Sequence, residues 1–285
     1  AMWGIVSGVL LNVVLDPLLI FGLGLGLRGA ALATVLGQAV SFLILFIMCR
    51  RLRSTGVGMR LGSFSPRWHY VREIVYGGSP SLSRQGLASV SVVLLNLAAA
   101  AYGDAAVAAM SIVSRVTMFV MSVIVGLGQG FQPFCGYCYG AGLYDRLRQG
   151  FWFTVRTGFL FLMLVSSVVF CLAEPTIALF RDDSIVVAIG STALRWHLAV
   201  YPLNAYIMTG NMMLQTTRKP LRANVLSSAR KGLVFIPFIL ILPHLFGLMG
   251  VAMCQAVCDV VTFLIAIPIV RSAFREMRHQ QANDV

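Results

Sequence analysis

Gly26-Leu-Arg-Gly-Ala-Ala-Leu-Ala-Thr-Val-Leu-Gly-Gln-Ala-Val-Ser-Phe-Leu-Ile44 lies over Gly247-Leu-Met-Gly-Val-Ala-Met-Cys-Gln-Ala-Val-Cys-Asp-Val-Val-Thr-Phe-Leu-Ile265 at a constant offset of 221, keeping two glycines and the closing Phe-Leu-Ile. The chain around these stretches is 58% hydrophobic and 11% charged, with a mean hydropathy of +0.85, whereas about a quarter of a soluble domain is charged. Its apolar runs of about 20 residues match a hydrocarbon core about 30 Å thick and exclude the short alternating strands of an outer-membrane barrel. Bounded by charge clusters and Gly/Pro turns, the spans are expected at 3–22, 29–49, 76–101, 105–131, 150–172, 186–214, 222–245 and 248–270. The class is an all-α membrane protein with eight transmembrane helices, and the repeat equates the second with the eighth.

If the third to eighth helices form one six-helix unit from near Tyr76, the same offset starts a first unit about 145 residues before Ala1. The expectation is twelve helices in two parallel halves, as in other transporters built from repeats. This chain would then hold the last two helices of an N-terminal lobe (1–49), a basic cytoplasmic linker (50–75), a complete C-terminal lobe (76–270) and a cytoplasmic tail (271–285). Ser54-Thr-Gly56 and Ser63-Phe-Ser-Pro66 supply turn chemistry in the linker. The first span begins at residue 2 without a charged n-region or cleavage site, so no signal peptide is read there.

Charge fixes the expected orientation. Of 22 Lys+Arg against 10 Asp+Glu, sixteen basic residues follow even-numbered spans. They are Arg50, Arg51, Arg53, Arg60, Arg67 and Arg72; Arg146 and Arg148; Arg218, Lys219, Arg222, Arg230 and Lys231; and Arg271, Arg275 and Arg278. The opposite connections carry Arg28 and Arg181, the latter beside Asp182 and Asp183. The positive-inside rule puts the basic side, and both ends of the chain, in the cytoplasm.

Asn12-Val-Val-Leu-Asp16-Pro17, Phe21-Gly-Leu-Gly-Leu-Gly-Leu-Arg-Gly-Ala-Ala-Leu-Ala-Thr34, Gly78-Ser-Pro-Ser-Leu-Ser-Arg-Gln85 and Gly128-Gln-Gly-Phe-Gln-Pro133 with Tyr139-Gly-Ala resemble the multidrug and toxic compound extrusion (MATE) family nearly end to end. The resemblance implies two six-helix bundles around a central cavity that opens alternately to each side. An organic solute leaves while Na⁺ or H⁺ descends its gradient, with no other cofactor. It further implies drugs and other amphipathic, often cationic compounds as substrates, membrane lipids as surroundings, no nucleic acid, a monomer, and a bacterial inner membrane. The family's usual further carboxylate, on its first helix, would precede Ala1.

Asp16 sits within an apolar span, where an ionised carboxylate costs several kcal/mol unless paired, protonated or metal-bound. Asn12 lies one turn before it on the same face, and Thr34 offers a hydroxyl on the next helix. These oxygens make a sensible partial shell for Na⁺, while desolvation would fit the same carboxylate to carry a proton. A second reading stays open, in which Asp16-Pro17 marks a kink and Thr34 bonds back to its own helix. Asp259, with Gln255 one turn earlier, is the other intramembrane acid. It contributes to coupling or substrate recognition, or it pairs with Arg84, Arg115 or Arg195. Gln85 and Gln129 are candidates for hydrogen bonds to substrate or between helices.

The remaining motifs are weaker. Met110, Met118, Phe119, Met121, Met208, Met212 and Met213, with Trp196 and Tyr201, read either as an adaptable cavity or as packing. Cys135-Gly-Tyr-Cys138 and the Cys254/Cys258 pair lack the further ligands of a zinc site. His69, His197, His244 and His279 are scattered, and neither a dinucleotide fingerprint nor a Walker motif is present. The pattern is that of a transporter rather than an enzyme. The alternatives are a lipid-linked oligosaccharide flippase of related fold, which a wide basic cavity would mark, and a non-transporting membrane scaffold or fragment.

Overall fold

The computed structural model describes residues 2–51 and 67–283, and in them every regular element is helical. Among the described residues eight helices are long and apolar enough to cross a membrane, at Gly4–Gly22, Gly26–Met48, Trp68–Ala100, Asp104–Gly140, Tyr144–Cys171, Ser184–Thr216, Pro220–Phe246 and Leu248–His279. The chain divides into two compact units, Ala1–Trp68 and His69–Val285.

In the first unit α1 (Met2–Pro17) runs on through a π-helical turn, Leu18–Gly22, and returns as α2 (Gly26–Arg51). Without a hydrophobic force between helices in lipid, small residues that let backbones approach supply the packing. Gly8 and Gly37 do this here. A Cβ on Gly8 would stand 2.6 Å from the Gly37 carbonyl oxygen, and one on Gly37 would stand 2.8 Å from the Gly8 oxygen. The Ser41 hydroxyl donates to the Gly4 carbonyl at 2.9 Å across the same seam. Asn12 and Asp16 continue the four-residue spacing of Gly4 and Gly8, so the polar pair extends the stripe of α1 that faces α2.

The second unit contains α3 (Trp68–Ala100), α4 (Asp104–Gly140), α5 (Tyr144–Cys171) and the short α6 (Ala173–Ala178). Next, α7 (Ser184–Val200) passes through a 3₁₀ turn, Tyr201–Leu203, into α8 (Asn204–Thr216). Then α9 (Pro220–Ser228) passes through a π-helical turn, Ala229–Leu233, into α10 (Phe235–Phe246), and α11 (Leu248–Asn283) closes the unit. The Asp183 carboxylate caps α7 by accepting from the Ile185 N–H at 3.0 Å. Leu95, Ala109, Val113, Leu194, Leu198, Phe235, Cys254 and Cys258 share one apolar core.

The sequence repeat has a local structural meaning. Gly26 and Gly247 precede or open their helices at φ +52° and +58°, a region where an L side chain is strained. Gly29 and Gly250 then press on the preceding helix. Added Cβ atoms would lie 2.6 Å from the Leu19 oxygen and 2.1 Å from the Leu242 oxygen. In each unit the first glycine reverses the chain and the second lets the returning helix close on its partner.

Several helices outrun their expected bounds. Residues 68–75, assigned to the linker, form the first turns of α3; α4 continues to Gly140; α5 starts at Tyr144; and residues 271–283, assigned to the tail, extend α11. Hydropathy marks only the part of a helix that meets lipid, whereas the hydrogen-bond ladder continues through any run of helix-forming residues such as Arg271–Met277. The linker's turn motifs at Ser54 and Ser63–Pro66, with Arg53 and Arg60, lie outside the described residues.

Candidate functional site

The first polar cluster is the one expected from α1 and α2. With its amide turned so that both groups are satisfied, Asn12 donates from Nδ2 to Asp16 Oδ2 at 3.3 Å and accepts at Oδ1 from the Thr34 backbone N–H at 3.2 Å. Asn12 thus ties the carboxylate to the next helix. Thr34 spends its hydroxyl proton on the Ala30 carbonyl at 2.9 Å, as the back-bonding alternative holds, and its side chain is exposed within the unit. Its oxygen keeps lone-pair capacity for a cation. Among the described residues no cationic side chain pairs with the half-buried Asp16.

The second cluster is buried in the C-terminal unit and only partly matches expectation. Asp259 is 1% exposed. Its partner is Arg230, whose Nε donates to Oδ1 at 2.8 Å and whose terminal nitrogen donates to Oδ2 at 3.4 Å. Asn204 donates to Oδ2 at 2.8 Å and Gln255 to Oδ1 at 3.0 Å. Lys231 donates to Gln255 Oε1 at 2.8 Å, while its carbonyl accepts from the Ser91 hydroxyl. His197 and Tyr201 lie within electrostatic range of Asp259 and Arg230, and Tyr201 donates to the Thr117 carbonyl.

Of the alternatives open for Asp259, the structure shows an ion pair, but with Arg230 in place of Arg84, Arg115 or Arg195. Arg84 and Arg115 are not joined to Asp259, and Arg195 pairs with Glu174 at 3.1 Å. Arg230 and Lys231 were counted as cytoplasmic because they close a basic run, yet they lie inside the seventh span, on the π-helical turn. Setting these two aside, fourteen of the sixteen basic residues still follow even-numbered spans in the sequence. The available signal was that apolar sequence continues after Lys231 for a further half-span. Asn204 was also missed; it starts α8 just beyond the 3₁₀ break at Tyr201–Leu203, fully buried. Gln85 and Gln129 are exposed within their unit and stand apart from this network.

One acid and two cations leave a net positive charge out of water, so every polar neighbour is needed to offset desolvation. π-Helical turns inside α-helices are frequent at functional sites. Here the turn seats Arg230 and Lys231 against α11, as the Asn12 bridge seats α2 against α1. Each unit therefore locks an adjacent pair of spans through polar side chains, with the acid on the first helix of the pair in one unit and on the second in the other.

Eight apolar spans enclosing such ionisable groups define a polytopic α-helical membrane protein. The chain belongs to the MatE family, whose model matches residues 80–241. It is 30% identical over 274 residues to the multidrug export protein MepA of Staphylococcus haemolyticus, covering 95% of this chain and 60% of MepA. It superposes on a MATE protein solved in a bent conformation with a TM-score of 0.87 at 26% identity, covering 99% of this chain and 63% of the other. A MOP-superfamily transporter from Pyrococcus furiosus gives 0.87 at 25% identity, covering 97% and 63%. The chain thus spans about 60% of the length of the curated relatives it matches. These relatives are transporters, not enzymes.

Proposed function

We propose that the protein carrying this chain is a cation-coupled antiporter that exports amphipathic, often cationic organic compounds by alternating access. The observation that carries the reading is Asp16, an intramembrane carboxylate with no cationic partner among the described residues, tied by Asn12 to the helix of Thr34. Such a carboxylate is costly in a bilayer unless it is paired, protonated or metal-bound, and a proton and a metal cation are both candidate coupling ions. The names of the export-protein relatives support the cargo. In membrane vesicles, the full gene product should drive a fluorescent lipophilic cation against its gradient when a Na⁺ or H⁺ gradient is imposed, and stop when that gradient is collapsed. Dye movement indifferent to both gradients would overturn coupling.

A lipid-linked oligosaccharide flippase is the second reading, and the arginine-lined pocket described below is the observation on its side. The same assay separates the two, because a flippase leaves the dye gradient untouched.

We also place both ends of the chain in a bacterial cytoplasm, on fourteen basic residues against two. In a Cys-free background, a cysteine replacing Arg146 should be labelled only from inside and one replacing Asp183 only from outside. External labelling at position 146 would reverse the orientation.

A further inference from the structure

A pocket of about 980 Å³ opens between α5, the Pro202–Tyr206 segment and α11, near the upper end of the roughly 300–1,000 Å³ of small-molecule sites. Its composition is divided along its length. Arg148 and Arg156 reach it from α5, and Arg271, Arg275 and Arg278 from α11, against the single carboxylate of Asp145. The α11 arginines recur at i, i+4 and i+7 and so form one stripe. Toward the middle of the span α11 presents Ile267 and Phe263 and α5 presents Phe159, one turn past Arg156, while Trp152 and Phe274 stand among the arginines and Tyr206 also lines the pocket.

From Phe263 to Arg278 is fifteen residues of helix, about 22 Å, close to half of a bilayer about 40–45 Å thick with its headgroups. The surplus of charge is specific to this face of α11. On its other side Glu276 accepts from Lys219 at 2.6 Å and also from Arg222, so the neighbouring cations there are already neutralised.

We propose that this pocket is a binding site for an anionic phospholipid of the leaflet on the basic side. The headgroup phosphate would lie among the arginines and an acyl chain along the aromatic wall. Basic pockets between spans recognise lipid headgroups by this complementarity. A free phosphate would satisfy the arginines and leave Phe159, Phe263 and Ile267 bare, whereas a zwitterionic lipid would fill the wall and leave the charge surplus unmet. The site does not depend on the proposed transport activity, and only the naming of the leaflet as cytoplasmic depends on the proposed orientation.

The test uses Trp152 as a reporter in the full chain, with Trp3, Trp68 and Trp196 replaced by Phe and the protein reconstituted in phosphatidylcholine. Brominated phosphatidylglycerol, added at low mole fraction, should quench Trp152 far more effectively than brominated phosphatidylcholine. In the R271Q/R275Q variant the affinity should fall about 25-fold, at about fivefold per arginine. R271K/R275K should retain most of it, and the melting temperatures of both variants should match the parent. Equal quenching by the two lipids, or a preference that survives R271Q/R275Q, would overturn the proposal. Excess inorganic phosphate should leave the quenching in place; its full release would assign the pocket to free phosphate instead.

Discussion

Asp259→Ala should destabilise the C-terminal unit by on the order of 3–5 kcal/mol, because it leaves Arg230 and Lys231 buried without their counter-charge. The loss reads out as a lower unfolding midpoint in detergent. The decisive comparison is the double variant Asp259→Ala/Arg230→Met. Removing both charges should restore part of the stability, so its cost should fall well below the sum of the two single costs. Additive costs would show that the ion pair does not link α11 to the turn of the seventh span. Asn204 and Gln255 would then hold the carboxylate without help from Arg230.

Asp16→Asn should act on coupling instead of folding. Asparagine keeps the size and an acceptor oxygen facing Asn12 but removes the charge that must bind and release the cation. The expected loss of ion affinity is on the order of a hundredfold, a few kcal/mol. Ion-driven export in vesicles should collapse while expression and melting temperature stay near the parent. Asn12→Ala should weaken ion dependence less, and Thr34→Ala least, since the Thr34 hydroxyl proton is already committed to Ala30. Asp259→Asn is the control. If it abolishes ion-driven export while Asp16→Asn keeps parental rates, coupling belongs to the C-terminal unit and the assignment to Asp16 fails.

Different physical signals made different parts of this molecule legible. Eight spans could be read because the bilayer imposes a length and a polarity that few other environments demand. The repeat could be read because Gly26, Gly29, Gly247 and Gly250 each occupy a place that a side chain would strain or fill. The Asn12–Asp16 pair could be read because a helix places residues four apart on one face. Helix ends were poorly read at Trp68, Gly140 and Asn283, where helices outrun the apolar zone. The partner of Asp259 was misread for a related reason. A positive charge at the end of a basic run looks like a headgroup anchor until the apolar sequence beyond it is counted as the same span. Asn204 gave no periodic signal, because a 3₁₀ turn shifts the face it presents.

The position of Arg230 and Lys231 also bears on how the chain is made. On insertion scales each charged residue at the centre of a span opposes entry by about 2.5–3.5 kcal/mol, and the seventh span carries two, on its π-helical turn. The residues that offset this penalty, Gln255 and Asp259, emerge from the ribosome only with the following span. The turn at Gly247 is short enough to present both spans to the translocon as one antiparallel hairpin. The stability of the seventh span in the bilayer is therefore tied to the eighth, whose Asp259 supplies the counter-charge to Arg230.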